Sequence, residues 1–110
     1  MHPKHIVLTL KSSDEPLRDQ VKRLKRAFGR LRATSVWKAL ARRGVYTLEV
    51  SRNAETRSWH PHLHIIVDAS YLPHKWLSET WLRITKDSSI VWVRRATVKE
   101  ARYLAKYVAK

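Results

Sequence analysis

The sequence predicts an α+β domain in the ferredoxin-like or RRM-like order β-α-β-β-α-β, with an antiparallel sheet and one further helix at the C-terminus. Two observations lead there: short runs of branched apolar residues alternate with helical stretches, and two of those runs form a hairpin pattern. The chain has 110 residues, a length that allows one modest core. We therefore predict a single domain spanning residues 1–110.

The first half begins with a short strand. Residues 5–11 (HIVLTLK) are apolar and rich in branched side chains, which is typical of a buried strand, and Ser12 and Ser13 end it. Apolar residues then recur every three or four positions, which predicts a helix with a strongly basic outer face: Leu17, Val21, Leu24, Phe28 and Leu31. One or two further helical turns around Trp37 end before Gly44.

A hairpin and a second helix follow. Residues 45–51 alternate between apolar and polar side chains, residues 52–58 are polar enough to form the turn, and residues 62–68 (HLHIIVD) form the partner strand. A second helix is predicted to begin near Pro73, and residues 90–93 (IVWV) are predicted to form the fourth strand.

The last element is predicted to be a helix with two stripes. An apolar stripe, expected to face inward, comprises Val98, Ala101, Ala105 and Val108. A second stripe lies on nearly the opposite side and comprises Tyr103, Lys106, Tyr107 and Lys110. The two tyrosines are therefore expected to lie away from the core.

The charge of the chain indicates a polyanionic partner. Lys and Arg number 23 against 9 Asp and Glu, giving a formal charge of +14 that is spread over the whole chain. Nucleic acid fits such a surface best, although charge alone does not distinguish DNA from RNA. A protein of the membrane surface would more often concentrate its charge on one amphipathic helix.

Composition also limits the kinds of site and location. The chain has no cysteine, so any metal ion must be held by histidine and carboxylate. No stretch approaches the ~20 apolar residues that span a bilayer, and the N-terminus lacks the apolar core of a signal peptide. We therefore expect a cytoplasmic protein without a membrane partner.

The hairpin brings metal-ligating residues together. His62 and His64 are two positions apart on one strand, so both side chains point to the same face. Glu49 is the carboxylate on the polar face of the other strand and should lie nearly opposite them. Strand parity thus predicts a His-His-Glu site with open coordination positions, which suits Mn²⁺ or Mg²⁺ better than a structural zinc ion.

Simpler interpretations exist for these residues. A lone His-x-His pair is more often an ordinary part of a polar strand face, but Glu49 and the basic composition favour a site. His60 shares the polar face but precedes Pro61, and we expect it to be a neighbour rather than a ligand. Asp68, further along the strand, is expected to end the strand.

The two tyrosines of the last helix are candidate nucleophiles. A tyrosine hydroxyl has a pKa near 10, so an attacking phenolate benefits from a nearby cation. Lys106 lies one turn beyond Tyr103, and Lys110 lies one turn beyond Tyr107. Spacing alone does not decide between the two tyrosines.

Three segments together resemble the HUH endonucleases, and most closely the plasmid rolling-circle replication initiators. They are IVLTL at 6–10, WHPHLHIIV at 59–67 and YLAKYVAK at 103–110. The run GVYTLEVSRN at 44–53 is similar to the segment that supplies the acidic ligand in that family. The resemblance extends from the first strand to the last residue.

The resemblance implies a function and a set of roles. It implies a metal ion held by Glu49, His62 and His64, with Tyr107 as the nucleophile and Lys110 assisting it. Tyr103 is placed like the second nucleophile of two-tyrosine relatives, which leaves one or two catalytic tyrosines open. The implied protein nicks single-stranded DNA at an origin or hairpin through a 5′-phosphotyrosine and works with host replication proteins such as a helicase. The implied setting is a plasmid, virus or phage in a prokaryotic host.

Two other classes remain as alternatives. A transposase or relaxase of the same superfamily would share the metal site and the tyrosine, but the motif order favours an initiator. A non-catalytic RRM-like module would bind nucleic acid by stacking bases on aromatic side chains. Five tryptophans could serve that role, although three or four are expected in the core: Trp37, Trp59, Trp76, Trp81 and Trp92.

Overall fold

The predicted α+β fold is confirmed by a computed structural model, which describes residues 2–108, with side chains through residue 107. Its four-stranded antiparallel sheet has the strand order β2-β3-β1-β4. The elements are β1 (Pro3–Thr9), α1 (Leu17–Arg32), α2 (Ser35–Leu40), β2 (Gly44–Arg52), β3 (Trp59–Asp68), α3 (His74–Thr85), β4 (Val91–Arg95) and α4 (Val98–Val108).

Strand pairing moves the predicted boundaries of β1 and β3. β1 begins at Pro3 and ends at Thr9, earlier than predicted at both ends, because its whole length is paired with β3. β3 begins earlier than predicted because β2 continues to Arg52, which pairs with Trp59. The hairpin turn is therefore only residues 53–58.

One face of the sheet holds the core. α1 and α3 pack on this face, and the apolar stripe predicted for α1 is buried at Leu24, Phe28 and Leu31. Burial of each large apolar side chain contributes about 1.5–3 kcal/mol. The fully buried side chains on and beneath the sheet include Ile6, Leu8, Leu63, Ile65, Leu77 and Trp81.

The opposite face of the sheet is polar and is partly covered by α4. The inward stripe predicted for this helix is wrong: Val98 is 70% exposed, and among the α4 side chains that the structure describes, which exclude Val108, the fully buried one is Leu104. The helix packs against β2 and β3 through the side that carries Glu100, Tyr103 and Leu104. This side of the helix carries both polar and apolar residues, because the sheet face beneath it is itself lined by histidine.

Candidate metal and tyrosine site

The polar face of the hairpin carries the predicted ligands in adjacent positions. Glu49 pairs directly with His62, and Thr47 pairs directly with His64. Since paired residues of antiparallel strands project from one face, both imidazoles and the carboxylate lie on the face that α4 partly covers. Strand parity therefore predicted correctly which side of the sheet carries these three side chains.

The distances bring two of the three residues close together. The Nε2 atom of His64 lies 3.5 Å from Oε2 of Glu49, and the rings of His62 and His64 are 6.4 Å apart between centroids. Within residues 2–108, no three histidine or acidic side chains already surround a common point. The Glu49 side chain is 63% exposed, so its carboxylate is free to move toward His62.

The chemistry of these donors fits a divalent cation. Burial lowers the pKa of His62, even though Glu49 acts in the opposite direction. A histidine with a lowered pKa is neutral at pH 7 and offers a nitrogen lone pair, as metal binding requires. Two imidazoles and one carboxylate are a ligand set suited to Mn²⁺.

A hydrogen-bonded chain extends from His64 away from Glu49. Nε2 of His5, on β1, lies 3.0 Å from Nδ1 of His64, and Nδ1 of His5 lies 2.6 Å from Oε2 of Glu100 on α4. With its proton on Nδ1, His5 donates to Glu100, because a carboxylate only accepts hydrogen bonds, and its Nε2 then accepts from Nδ1 of His64. This tautomer leaves Nε2 of His64 as a lone pair facing Glu49.

Glu100 is held firmly from two sides. Its oxygens accept hydrogen bonds of 2.8 and 3.0 Å from Arg94, which lower the pKa of Glu100 to about 2. Glu100 also forms a capping box with Thr97, since each backbone N–H is bonded by the other side chain at 2.8 and 3.1 Å. Nη2 of Arg94 also lies 2.5 Å from Nδ1 of His5. Because a guanidinium only donates, this contact is a hydrogen bond only when Nδ1 carries no proton.

His5 and Glu100 were not predicted as site residues. The TVKE run at 97–100 has the spacing of a capping box, which would have marked Glu100 as a fixed carboxylate. His5 has the strand parity of Val7 and Thr9, the residues that pair with His64 and His62. Only the pairing of β1 with β3 brings it to His64.

The two tyrosines of α4 lie side by side at the edge of the histidine face. Tyr103 lines the cleft that also contains His5, Glu49, His64 and Glu100. The ring of Tyr107 lies 4.6 Å from that of Tyr103, and a side-chain hydrogen bond between them raises the pKa of Tyr103. A Tyr103 hydroxyl that keeps its proton can donate to the oxygen of Tyr107. Lys110 lies outside the described residues.

The neighbouring polar residues have other partners. Nε2 of His60 lies 3.3 Å from Oγ of Ser58, and its Nδ1 lies 3.4 Å from Oγ of Ser12. Asp68 is the last residue of β3 and accepts a hydrogen bond of 2.8 Å from the backbone N–H of His2. Both histidine nitrogens of residue 60 are thus occupied by hydroxyl groups.

Comparison with protein families shows which family the chain belongs to. Residues 1–106 match the family described as replication protein. The chain belongs to this family. The match spans the strands that carry Glu49, His62 and His64 and the helix as far as Lys106, and it confirms the resemblance to plasmid rolling-circle replication initiators. No curated protein and no solved structure matches this replication protein significantly.

The helices of this replication protein give no sign of a membrane span. Across residues 2–108, none of them combines the length and the apolar composition needed to cross a bilayer.

Proposed function

We propose that this chain is a metal-dependent endonuclease and strand transferase that nicks single-stranded DNA at a replication origin through a 5′-phosphotyrosine. The observation that carries the proposal is the shared face of the sheet, where the His64–Glu49 pair and Tyr103 line one cleft with Tyr107 packed beside it. Family membership supports a role in replication. The positive charge of +14 supports a DNA partner.

The proposed site has a division of roles. His62, His64 and Glu49 would hold Mn²⁺ or Mg²⁺, which when bound polarises the scissile phosphate. The Tyr107 oxygen attacks phosphorus, a Tyr–O–P bond forms and the bond from phosphorus to the 3′-oxygen breaks. The tyrosine proton leaves to solvent or a neighbouring lysine, and the departing 3′-oxygen takes up a proton.

The structure supports the proposal that Tyr107, rather than Tyr103, attacks first. Tyr103 keeps its proton more readily because of its hydrogen bond with Tyr107, so it can stabilise the phenolate of its neighbour. Tyr107 is also the tyrosine of the KYVAK ending that resembles the family motif. Because Tyr103 lines the cleft, a two-tyrosine mechanism, in which it attacks in a second transfer, is the second candidate.

The alternative functions differ in the DNA that the protein acts on and in whether it cleaves that DNA. A transposase or relaxase would use the same ion and tyrosine on other DNA junctions, whereas a binding module would not cleave. We propose host replication proteins, such as a helicase, as partners and a plasmid, virus or phage as the source. Initiation from a cloned plasmid origin, without transposition of flanking DNA, would favour an initiator over a transposase.

The proposed reaction is tested by end-labelled single-stranded oligonucleotides that cover candidate origin hairpins, incubated with the protein and Mn²⁺. Cleavage should require the ion, stop with a chelator, and yield one product with a free 3′-hydroxyl. The 5′ side of the break should resist kinase labelling because protein blocks it. Cleavage that continues in chelator, or that leaves both ends free, would contradict the proposal.

His5 should strengthen ion binding by orienting His64. In the variant His5→Phe, an aromatic ring is retained but the nitrogen that contacts Nδ1 of His64 is lost. We expect the affinity for Mn²⁺, measured by calorimetry, to fall by about 10- to 100-fold, as for other partners of metal-ligating histidines. Glu100→Gln should give a smaller fall in the same direction. Unchanged affinity in a folded His5→Phe protein would show that the chain of hydrogen bonds does not support the site.

DNA affinity should fall steeply with salt. For single-stranded DNA the slope of log affinity against log salt is about −0.7 for each phosphate contacted, so three or more contacts give a slope steeper than about −2. Fluorescence anisotropy with oligo(dT) between low and physiological salt measures it. The slope reports contacts over the whole surface, because the basic outer face of α1 lies on the opposite side of the sheet from the histidines. A nearly flat slope would show that the positive charge of the chain does not serve DNA binding.

A further inference from the structure

A tryptophan lies exposed on the same face of the sheet as the histidines. α4 packs over β2 and β3, whereas Trp92, on the edge strand β4, is 65% exposed. Ile90, just before this strand, is 58% exposed. An indole buries up to about 150–250 Å² when it is covered, so an exposed one beside a candidate site is a large unused contact surface.

Strand register places Trp92 in line with the candidate metal site. Trp92 pairs with Val7, and Val7 pairs with His64 on its other side. All three side chains therefore project from one face. Since neighbouring strands lie about 4.8 Å apart, the backbones at Trp92 and His64 are separated by about 10 Å. A nucleotide that flanks a phosphate held at His64 can reach across this distance.

The remaining tryptophans do not share this position. Trp37 and Trp81 are buried in the core, and Trp76 packs against it. Trp59 is 38% exposed but has the strand parity of the core-facing residues of β3. Its ring is covered by the Arg52 guanidinium at 4.9 Å. Trp92 is thus the tryptophan available on the histidine face.

We propose that Trp92 is a stacking platform for one base of the single-stranded DNA that enters the histidine site. The inference rests on the proposed function, because it takes DNA as the ligand of this face. Stacking on an aromatic ring accepts any base, so Trp92 would hold the strand flat without selecting its sequence. The positive charge of the chain favours a polyanion over an apolar protein partner.

The test measures binding of fluorescein-labelled oligo(dT) of about 16 nucleotides in chelator, so that no cleavage occurs. Trp92→Ala should weaken binding by roughly 5- to 100-fold, and Trp92→Phe should retain most of the affinity. The slope with salt should stay unchanged, because no charge is removed. Trp59→Ala, which removes an indole from the other face, is the matched control and should bind nearly as the unmodified protein does.

Several results would overturn the inference. These are an unchanged affinity in folded Trp92→Ala, an equal loss in Trp59→Ala, or a dimer that buries Trp92 without affecting DNA. Tighter binding of oligo(U) than of oligo(dT) would overturn the assignment to DNA. If Trp92→Ala weakens binding but the unmodified protein never forms a covalent adduct with any cleaved DNA, the stacking platform stands and the nicking function fails.

Discussion

Replacing His62 and His64 together with alanine should abolish binding of Mn²⁺ and cleavage of DNA. The two imidazoles lie on one face and are two of the three proposed ligands, since Glu49 is paired with His62 and lies 3.5 Å from His64. Loss of one orienting partner already costs about 10- to 100-fold in metal affinity, so loss of two ligands should exceed that range. Calorimetry should show a single site in the unmodified protein and none in the double variant.

His60→Ala is the matched control for this prediction. His60 belongs to the same strand, but its nitrogens contact the hydroxyl groups of Ser58 and Ser12. The variant should bind the ion nearly as well as the unmodified protein. Ion binding that survives the double replacement of His62 and His64, or that disappears in His60→Ala, would show that the ligands have been assigned wrongly.

Tyr107→Phe should eliminate the covalent adduct while leaving fold and ion binding intact. The change removes only the attacking oxygen, and loss of a nucleophile costs at least about 1000-fold in rate. Tyr103→Phe should leave the first cleavage largely in place, because Tyr107 keeps its attacking oxygen and loses only one hydrogen bond from its neighbour. Single-turnover cleavage of a labelled oligonucleotide, with thermal melting as a check of folding, measures both variants.

The contrast between these variants separates the two candidate mechanisms. Loss of the first cleavage in Tyr103→Phe alone would transfer the role of nucleophile to Tyr103, the residue that lines the cleft. If either tyrosine suffices for the first cleavage, both attack and the two-tyrosine mechanism holds. If the double replacement of Tyr103 and Tyr107 with phenylalanine still cleaves, the nucleophile lies elsewhere in the chain.

Local sequence patterns were sufficient for the fold and for the ligand face. A strand repeats every two residues, so once residues 45–51 and 62–68 were recognised as a hairpin, Glu49 had to fall near His62. The stripe of α1 was equally clear because large apolar residues mark it without ambiguity. In both cases the prediction depends only on residues that are close together in the sequence.

Contacts between distant elements could not be predicted in this way. The chain from His64 through His5 to Glu100 needs β1, β3 and α4 to meet. The inward side of α4 was wrongly predicted because alanine is small enough for either side of a helix. The choice of Leu104 over Val98 for burial depends on the polar sheet face that the helix covers, which its own periodicity does not contain.

The proposed function is tested most directly by the mass of the protein after incubation with a labelled single-stranded origin library and Mn²⁺. We expect a covalent protein–DNA adduct that forms only with the ion, and peptide mapping should locate the DNA on Tyr107. Cleavage of the strands with no adduct on any tyrosine would contradict the proposed tyrosine mechanism.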